Sequence, residues 1–259
     1  MRIPLYQVDA FAGRVFAGNP AAVCPLERWL DEATLQAIAA ENNLSETAFF
    51  TRAGDGYDLR WFTPMQEIDL CGHATLASAF VVFHHLDPAA RAVTFRSKSG
   101  PLIVTREGDL LSMEFPARPP AACERPATIE QALGSSPREV LRARDYLAVF
   151  ESEEQVLALE PRMELVGALD ALGVIATAPG RASDFVSRFF APRAGVPEDP
   201  VTGSAHCTLI PYWSQRLGVK QLHALQVSRR GGELWCEDRG ERVVMAGRAV
   251  RYLEGTIEV

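Results

Sequence analysis

The sequence predicts an α+β protein of two pseudo-symmetric halves, each folded around a buried apolar helix. Three observations lead there. Short runs with strand-like alternation are spread along the chain, separated by Gly, Pro, Asn and Asp. From Ala74 to Phe83 the only polar side chains are Thr75 and Ser78, so a helix there has no face to offer water. Finally, TRAGDGYDLRWFTP followed by CGHATLASA is echoed by TAPGRASDFVSRFFAP followed by TGSAHCTLI.

Taken in order, IPLYQVDAF alternates and reads as a strand. FAGNPAAV reads as a loop with Gly18, Asn19 and Pro20 as turn formers. LDEATLQAIAAENN spaces Leu30, Leu35 and Ile38 behind acids at its start, the pattern of an amphipathic helix. TAFFTR, YDLRWFTP, VTFRSKSGPLIVTRE and LLSMEFPAR read as strands. RPPAACERP is proline-rich and marks the expected crossing between domains 1–117 and 118–259, with the last strand able to pair back onto the first domain. TIEQALGSSPREVLRA reads as helical in two pieces, and YLAVFES and GVIATAP as strands on either side of a helical MELVGALDAL. The tail from ALQVSRR onward reads as a β-meander turned at Gly231, Gly232 and Gly240.

In the repeat, Arg60–Pro64 corresponds to Arg188–Pro192, Gly72 to Gly203, His73 to Ser204 and Ala74 to Ala205. Each half is then a strand, a loop and a buried helix that begins at Gly followed by a small or polar residue. Two such helix starts facing a common cleft would make a cradle for an anion, because dipoles and free N–H groups both favour negative charge. A small carboxylate-bearing substrate is the natural guest.

Composition narrows the class. The 259 residues are 47% hydrophobic and 23% charged, as in ordinary globular proteins. A net charge of -7 argues against nucleic acid as a partner. No apolar run reaches membrane-spanning length, and MRIPLYQVDAF has no secretory h-region. Five scattered cysteines do not form a disulfide framework, so a cytoplasmic setting with reduced thiols is expected.

Several residues carry chemical promise. Glu46 stands just before an apolar run and falls near Ala171 or Leu172 in the repeat frame, so the second half has no counterpart. Burial would raise its pKa toward neutrality and suit it to general acid/base work; the alternative is a solvated acid at a strand start. Asp199, in PEDPVTGSAH, is a second acid, or a turn former and cap. His73 at a helix start could donate to a substrate carboxylate, or be a satisfied histidine. Cys71 could be a thiolate base, since helix N-termini lower thiol pKa values, or a small buried apolar residue. No CxxC or HxxxH spacing supports a metal centre, and no phosphate-binding glycine motif points to a nucleotide.

The segments QVDAFAGRVFAGNPAAV, NLSETAFF, RWFTPMQEIDLCGHATLASA and DPVTGSAH together resemble the phenazine-biosynthesis PhzF-like family. That family is similar in fold to diaminopimelate epimerase, with two pseudo-symmetric domains, each a β-barrel-like sheet around a central helix. The resemblance implies an isomerase that needs no metal or cofactor. It implies Glu46 as the acid/base, His73, Asp199 and Ser204 as further active-site residues, and no particular substrate. The diaminopimelate epimerase branch uses two cysteines; Cys71 stands where the first would be, but Thr202 takes the second position.

The expected mechanism is therefore a proton shift on one face of a small unsaturated amino or hydroxy acid, with Glu46 as the shuttle. Asp199 and His73 would hold an amine or hydroxyl, Gly72, Gly203 and Ser204 a carboxylate, and Asn19 would lie on a substrate-facing loop. A homodimer is expected. An amino-acid epimerase or racemase and a catalytically silent small-molecule-binding protein are the alternatives.

Overall fold

A computed structural model describes residues 1–259. Contacts divide the chain into two compact units, Met1–Glu114 with Ala246–Val259, and Phe115–Met245.

In the first unit, β1 (Arg2–Ala10) turns into antiparallel β2 (Asn19–Leu26). The turn needs glycine at its end: Gly18 has φ +65°, and a Cβ there would lie 2.2 Å from the Ala10 carbonyl oxygen. The expected loop FAGNPAAV is shorter than its turn formers suggest. Asn19–Val23 pair with β1, and Pro20 sits near the start of β2, where a missing N–H is tolerated. α1 (Glu32–Asn42) is capped by Asp31, which accepts the Thr34 N–H at 2.9 Å, and it ends at Asn43 in the left-handed region. β3 (Glu46–Ala53) runs parallel to β2, β4 (Gly56–Phe62) antiparallel to β3, and β5 (Glu67–Ile68) returns along β4.

Next comes α2 (Gly72–Val81), buried along nearly its whole length and packed on β1, β2 and β3. Each large apolar side chain it hides, such as Leu76 or Val81, contributes about 1.5–3 kcal/mol, which only a central position can supply on every face. Its buried hydroxyls are satisfied one turn back: Thr75 donates to the Cys71 carbonyl at 2.5 Å and Ser78 to that of Ala74 at 2.7 Å. A π-helical turn at Val82–Leu86 leads to β6 (Ala92–Ser97), parallel to β4, and then to the antiparallel strands β7 (Gly100–Glu107) and β8 (Leu110–Pro116).

The second unit contains β9 (Ala121–Ala122), α3 (Ile129–Leu133), β10 (Glu139–Arg142) and β11 (Tyr146–Val149). β10 corrects the second helical piece expected in TIEQALGSSPREVLRA. Pro137 bars a helix from continuing, and Val140 and Leu141 pair with Ala148 and Leu147 of β11. α4 (Glu153–Leu157) and α5 (Met163–Ala168) lead to β12 (Val174–Pro179), parallel to β11. β13 (Phe185–Ala191) is antiparallel to β12, and β14 (Val196–Asp199) returns on it. α6 (Gly203–Leu217) is buried up to Ser214, with an exposed last turn. β15 (Gln221–Gln226), parallel to β13, is followed by antiparallel β16 (Gly232–Asp238) and by β17 (Arg242–Gly247).

The last strand, β18 (Ala249–Glu258), pairs antiparallel with β1. The second unit therefore closes at Met245 rather than at the C-terminus, because the ladder with β1 holds the final strand in the first unit.

The repeat seen in the sequence is a repeat of topology. β2 to β3 and β11 to β12 are parallel pairs joined through helix; β4 with β5 and β13 with β14 are antiparallel returns; α2 and α6 follow; β6 and β15 then lie parallel to β4 and β13. One contact repeats in detail. Arg60 Nε and Nη2 donate to Glu67 at 2.7 and 2.8 Å, and Arg188 Nε and Nη2 donate to Glu198 at 2.7 and 3.0 Å. Both are two-pronged pairs, and each ties a strand to the return that feeds the central helix.

Candidate active site

Glu46 opens β3 opposite Ala21, and its side chain is only 13% exposed. His73, the second residue of α2, is buried and brings Nε2 to 3.0 Å from Glu46 Oε2. The pair is close but not aligned as a hydrogen bond. Both atoms are shielded from solvent and face each other as a close ion pair. On the other side of the ring, His73 Nδ1 lies 3.5 Å from Cys71 Sγ. Burial disfavours the charged imidazole, but contact with Cys71 and Glu46 outweighs it and holds the His73 pKa well above the ordinary value.

Cys71 is not the lowered thiol that a helix start could have made. Burial and then the Glu46 carboxylate push it up, against an opposing pull from His73. It occupies the position before α2 where Ser, Thr or Asp would normally cap, and its side chain makes no capping bond. Glu46, Cys71 and His73 offer ligand atoms within 4.8 Å of one another, a donor set that zinc accepts. However, the imidazole turns Nδ1 to Cys71 and Nε2 to Glu46. One ion takes one ring nitrogen, so this arrangement suits groups sharing protons better than a single metal.

The register explains why Glu46 stands alone. Phe49 faces Arg60 across β3 and β4, and Ala176 faces Arg188 across β12 and β13, which matches Glu46 to Gly173 rather than to Ala171 or Leu172. A Cβ on Gly173 would lie 2.6 Å from the Phe190 carbonyl oxygen and 2.8 Å from the Phe189 ring. The second unit has no room for any side chain there.

Asn19 is wholly buried at the start of β2, not on an open loop, and its Oδ1 accepts weakly from Ser45 at 3.5 Å, beside Glu46. Gly72 begins α2 and is half-buried.

In the second unit, Asp199 ends β14 and its Oδ2 accepts the Thr202 hydroxyl at 2.5 Å. Gly203 and Ser204 form the first turn of α6, and Ser204 Oγ accepts from Arg144 Nη2 at 2.9 Å. Arg144 also grips the buried Asp145 at 2.8 Å. Sequence reasoning missed Arg144, Asp145 and Gln226. Gln226, buried at the end of β15, bonds to Asp199 and Thr202, while His206 Nδ1 donates to the Thr202 carbonyl at 2.8 Å. Burial drops the His206 pKa to about 4, so the ring is neutral. His206 occupies the place of Thr75 in the repeat and makes the same bond one turn back, a signal that was available in the aligned halves.

Comparison with known proteins agrees with this architecture. An uncharacterized isomerase of Pseudomonas aeruginosa is 53% identical over 259 residues, covering all of both chains. A crystal structure of a phenazine biosynthesis PhzF-family protein from Enterococcus faecalis superposes with a TM-score of 0.98 at 49% identity, again covering all of both chains. The fold extends to a hydroxyproline epimerase from Agrobacterium vitis, with a TM-score of 0.60 at 12% identity over 99% of this chain and 92% of that one. Fold and relatives define an isomerase of the epimerase-like α+β class. Residues 8–255 match the PhzC-PhzF family of phenazine biosynthesis-like proteins, and the chain belongs to that family.

Proposed function

We propose that this protein moves a proton within a small unsaturated amino or hydroxy acid, with Glu46 as the only shuttle and no cofactor. The observation that carries the reading is the Glu46–His73 pair, two sealed polar atoms 3.0 Å apart with no aligned bond between them. Glu46 takes a proton from a saturated carbon next to a double bond. The C–H electron pair becomes a new double bond while the old π pair moves one carbon on, and the resulting carboxylic acid returns the proton to the far carbon. Nothing is oxidised or reduced. A nearby imidazolium stabilises the charge that develops, as preorganised donors do.

The epimerase alternative needs a base on each face. In the repeat, Thr202 and Gly173 match Cys71 and Glu46, so the second unit has neither a thiol nor a carboxylate at those positions, and burial and Glu46 push the Cys71 thiol up, which favours a single carboxylate. The amide groups at Gly72 and His73 suit a substrate carboxylate. The parts assigned to Asp199, Gly203 and Ser204 in binding rest on their motif. The test is a screen of unsaturated amino and hydroxy acids in D2O, read by mass and by double-bond position. A shifted double bond, with or without deuterium uptake, supports the reading. Uptake with inverted configuration and an unmoved double bond supports the epimerase, and tight binding without uptake or a moved double bond supports a silent binder.

A further inference from the structure

Thr202 is the residue of the second unit that matches Cys71 in the repeat, and here every polar group it has is occupied. Its N–H donates to Gln226 Oε1 at 2.8 Å. Its carbonyl accepts from His206 Nδ1 at 2.8 Å. Its hydroxyl accepts from Gln226 Nε2 at 3.1 Å and donates to Asp199 Oδ2 at 2.5 Å. Gln226 Nε2 also donates to the Asp199 carbonyl at 2.8 Å. Thr202, Gln226 and His206 are 5%, 1% and 0% exposed, so water does not compete for these bonds.

The direction of the hydroxyl follows from this wiring. An amide nitrogen can only donate, so Gln226 Nε2 fills a lone pair on Thr202 Oγ1 and leaves its hydrogen for Asp199. The same Gln226 side chain holds the Asp199 backbone, while Ser228 Oγ ties down the intervening Pro200 carbonyl at 2.8 Å. We propose that Gln226 is a positioning residue: through Thr202 it fixes the rotamer of Asp199 and the first turn of α6, and so sets substrate affinity rather than the proton transfer itself. The effect on substrate rests on the proposed role of Asp199; the clamp does not.

Two measurements separate these. The first is amide hydrogen exchange on the 15N-labelled full chain. Gln226→Leu keeps the volume and removes both ends of the amide, whereas Gln226→Glu keeps the oxygen that accepts the Thr202 N–H and removes only the donor to Thr202 Oγ1 and to the Asp199 carbonyl. Gln226→Leu should speed exchange at the Thr202 N–H by about tenfold or more, the weight of a buried hydrogen bond, while Gln226→Glu should leave it protected, with Leu209 and Ile210 in the helix interior unchanged in both. Unchanged protection of Thr202 in Gln226→Leu overturns the clamp. The second uses whichever compound wild type labels with deuterium or isomerises. KM should rise by about tenfold while kcat stays within about threefold for Gln226→Leu and Thr202→Val, and Thr202→Ser, which keeps the hydroxyl, should restore KM. Unchanged KM with a loosened Thr202, or a fall in kcat alone, overturns the positioning role. If no compound exchanges and none shows a moved double bond, the proton-shift reading fails and the amide data still decide the clamp.

Discussion

His73 stands with Nε2 3.0 Å from Glu46 Oε2 and Nδ1 3.5 Å from Cys71 Sγ, so one ring joins the acid/base candidate to the thiol. Which member of this row moves the proton is open to direct test.

Glu46→Gln preserves shape and removes the titrating group. General acid/base catalysis is worth roughly 100- to 10,000-fold, so turnover of a labelled compound should fall by at least the lower figure. Binding measured by calorimetry should survive. Near-normal turnover would pass the role to Asp199 or Cys71.

Cys71→Ala should keep turnover within about tenfold of wild type, because a thiol pushed up by burial and by Glu46 is a poor base at neutral pH. Steady-state rates with a matched melting curve check this. A fall of about 100-fold or more in a folded variant would restore the thiol as a base.

Stability should depend on pH through His73. The folded protein holds its proton more tightly than the unfolded chain does. Its contribution is therefore complete below the unfolded value of about 6.5 and is lost as pH rises through the folded value. Urea unfolding from about pH 5.5 to about pH 9 should show the advantage of wild type over His73→Asn shrinking as pH rises. An advantage that grows with pH would reverse the sign argued here.

Glu67 gives the opposite dependence. Its bond with Arg60, opposed by burial and helped by Lys98, holds its pKa at about 2 against an unfolded value near 4.5. Its contribution is present above 4.5 and is lost as pH falls through 2. Glu67→Gln should cost about 2–3 kcal/mol at pH 7, the scale of charge-assisted bonds to a largely buried Arg60, with the gap from wild type closing in acid. Equal stability at neutral pH would show that the repeated Arg–Glu pair is dispensable.

Much of this was legible along the chain. The apolar run from Ala74 to Phe83 required a central helix, because such a segment has no side to turn to water. The echo of RWFTP in RFFAP announced a repeated unit, and the repeat carries its Arg–Glu pair with it. The pairing back of the last strand was legible too, and β18 returns to β1. What was misread was the second helical piece: Pro137 stops a helix, and Val140 and Leu141 form a hairpin ladder with β11.

The sequence by itself determined the class of fold, the two helix starts and the residue types that carry acid/base chemistry, because periodicity and local motif are properties of neighbours in the chain. Only the tertiary structure decided that Glu46 meets His73, that burial and Glu46 push the Cys71 thiol up, that Gly173 has no room for a second carboxylate and that Gln226 locks Thr202. Distance, burial and orientation set each of these, and they arise only when segments far apart in sequence pack together.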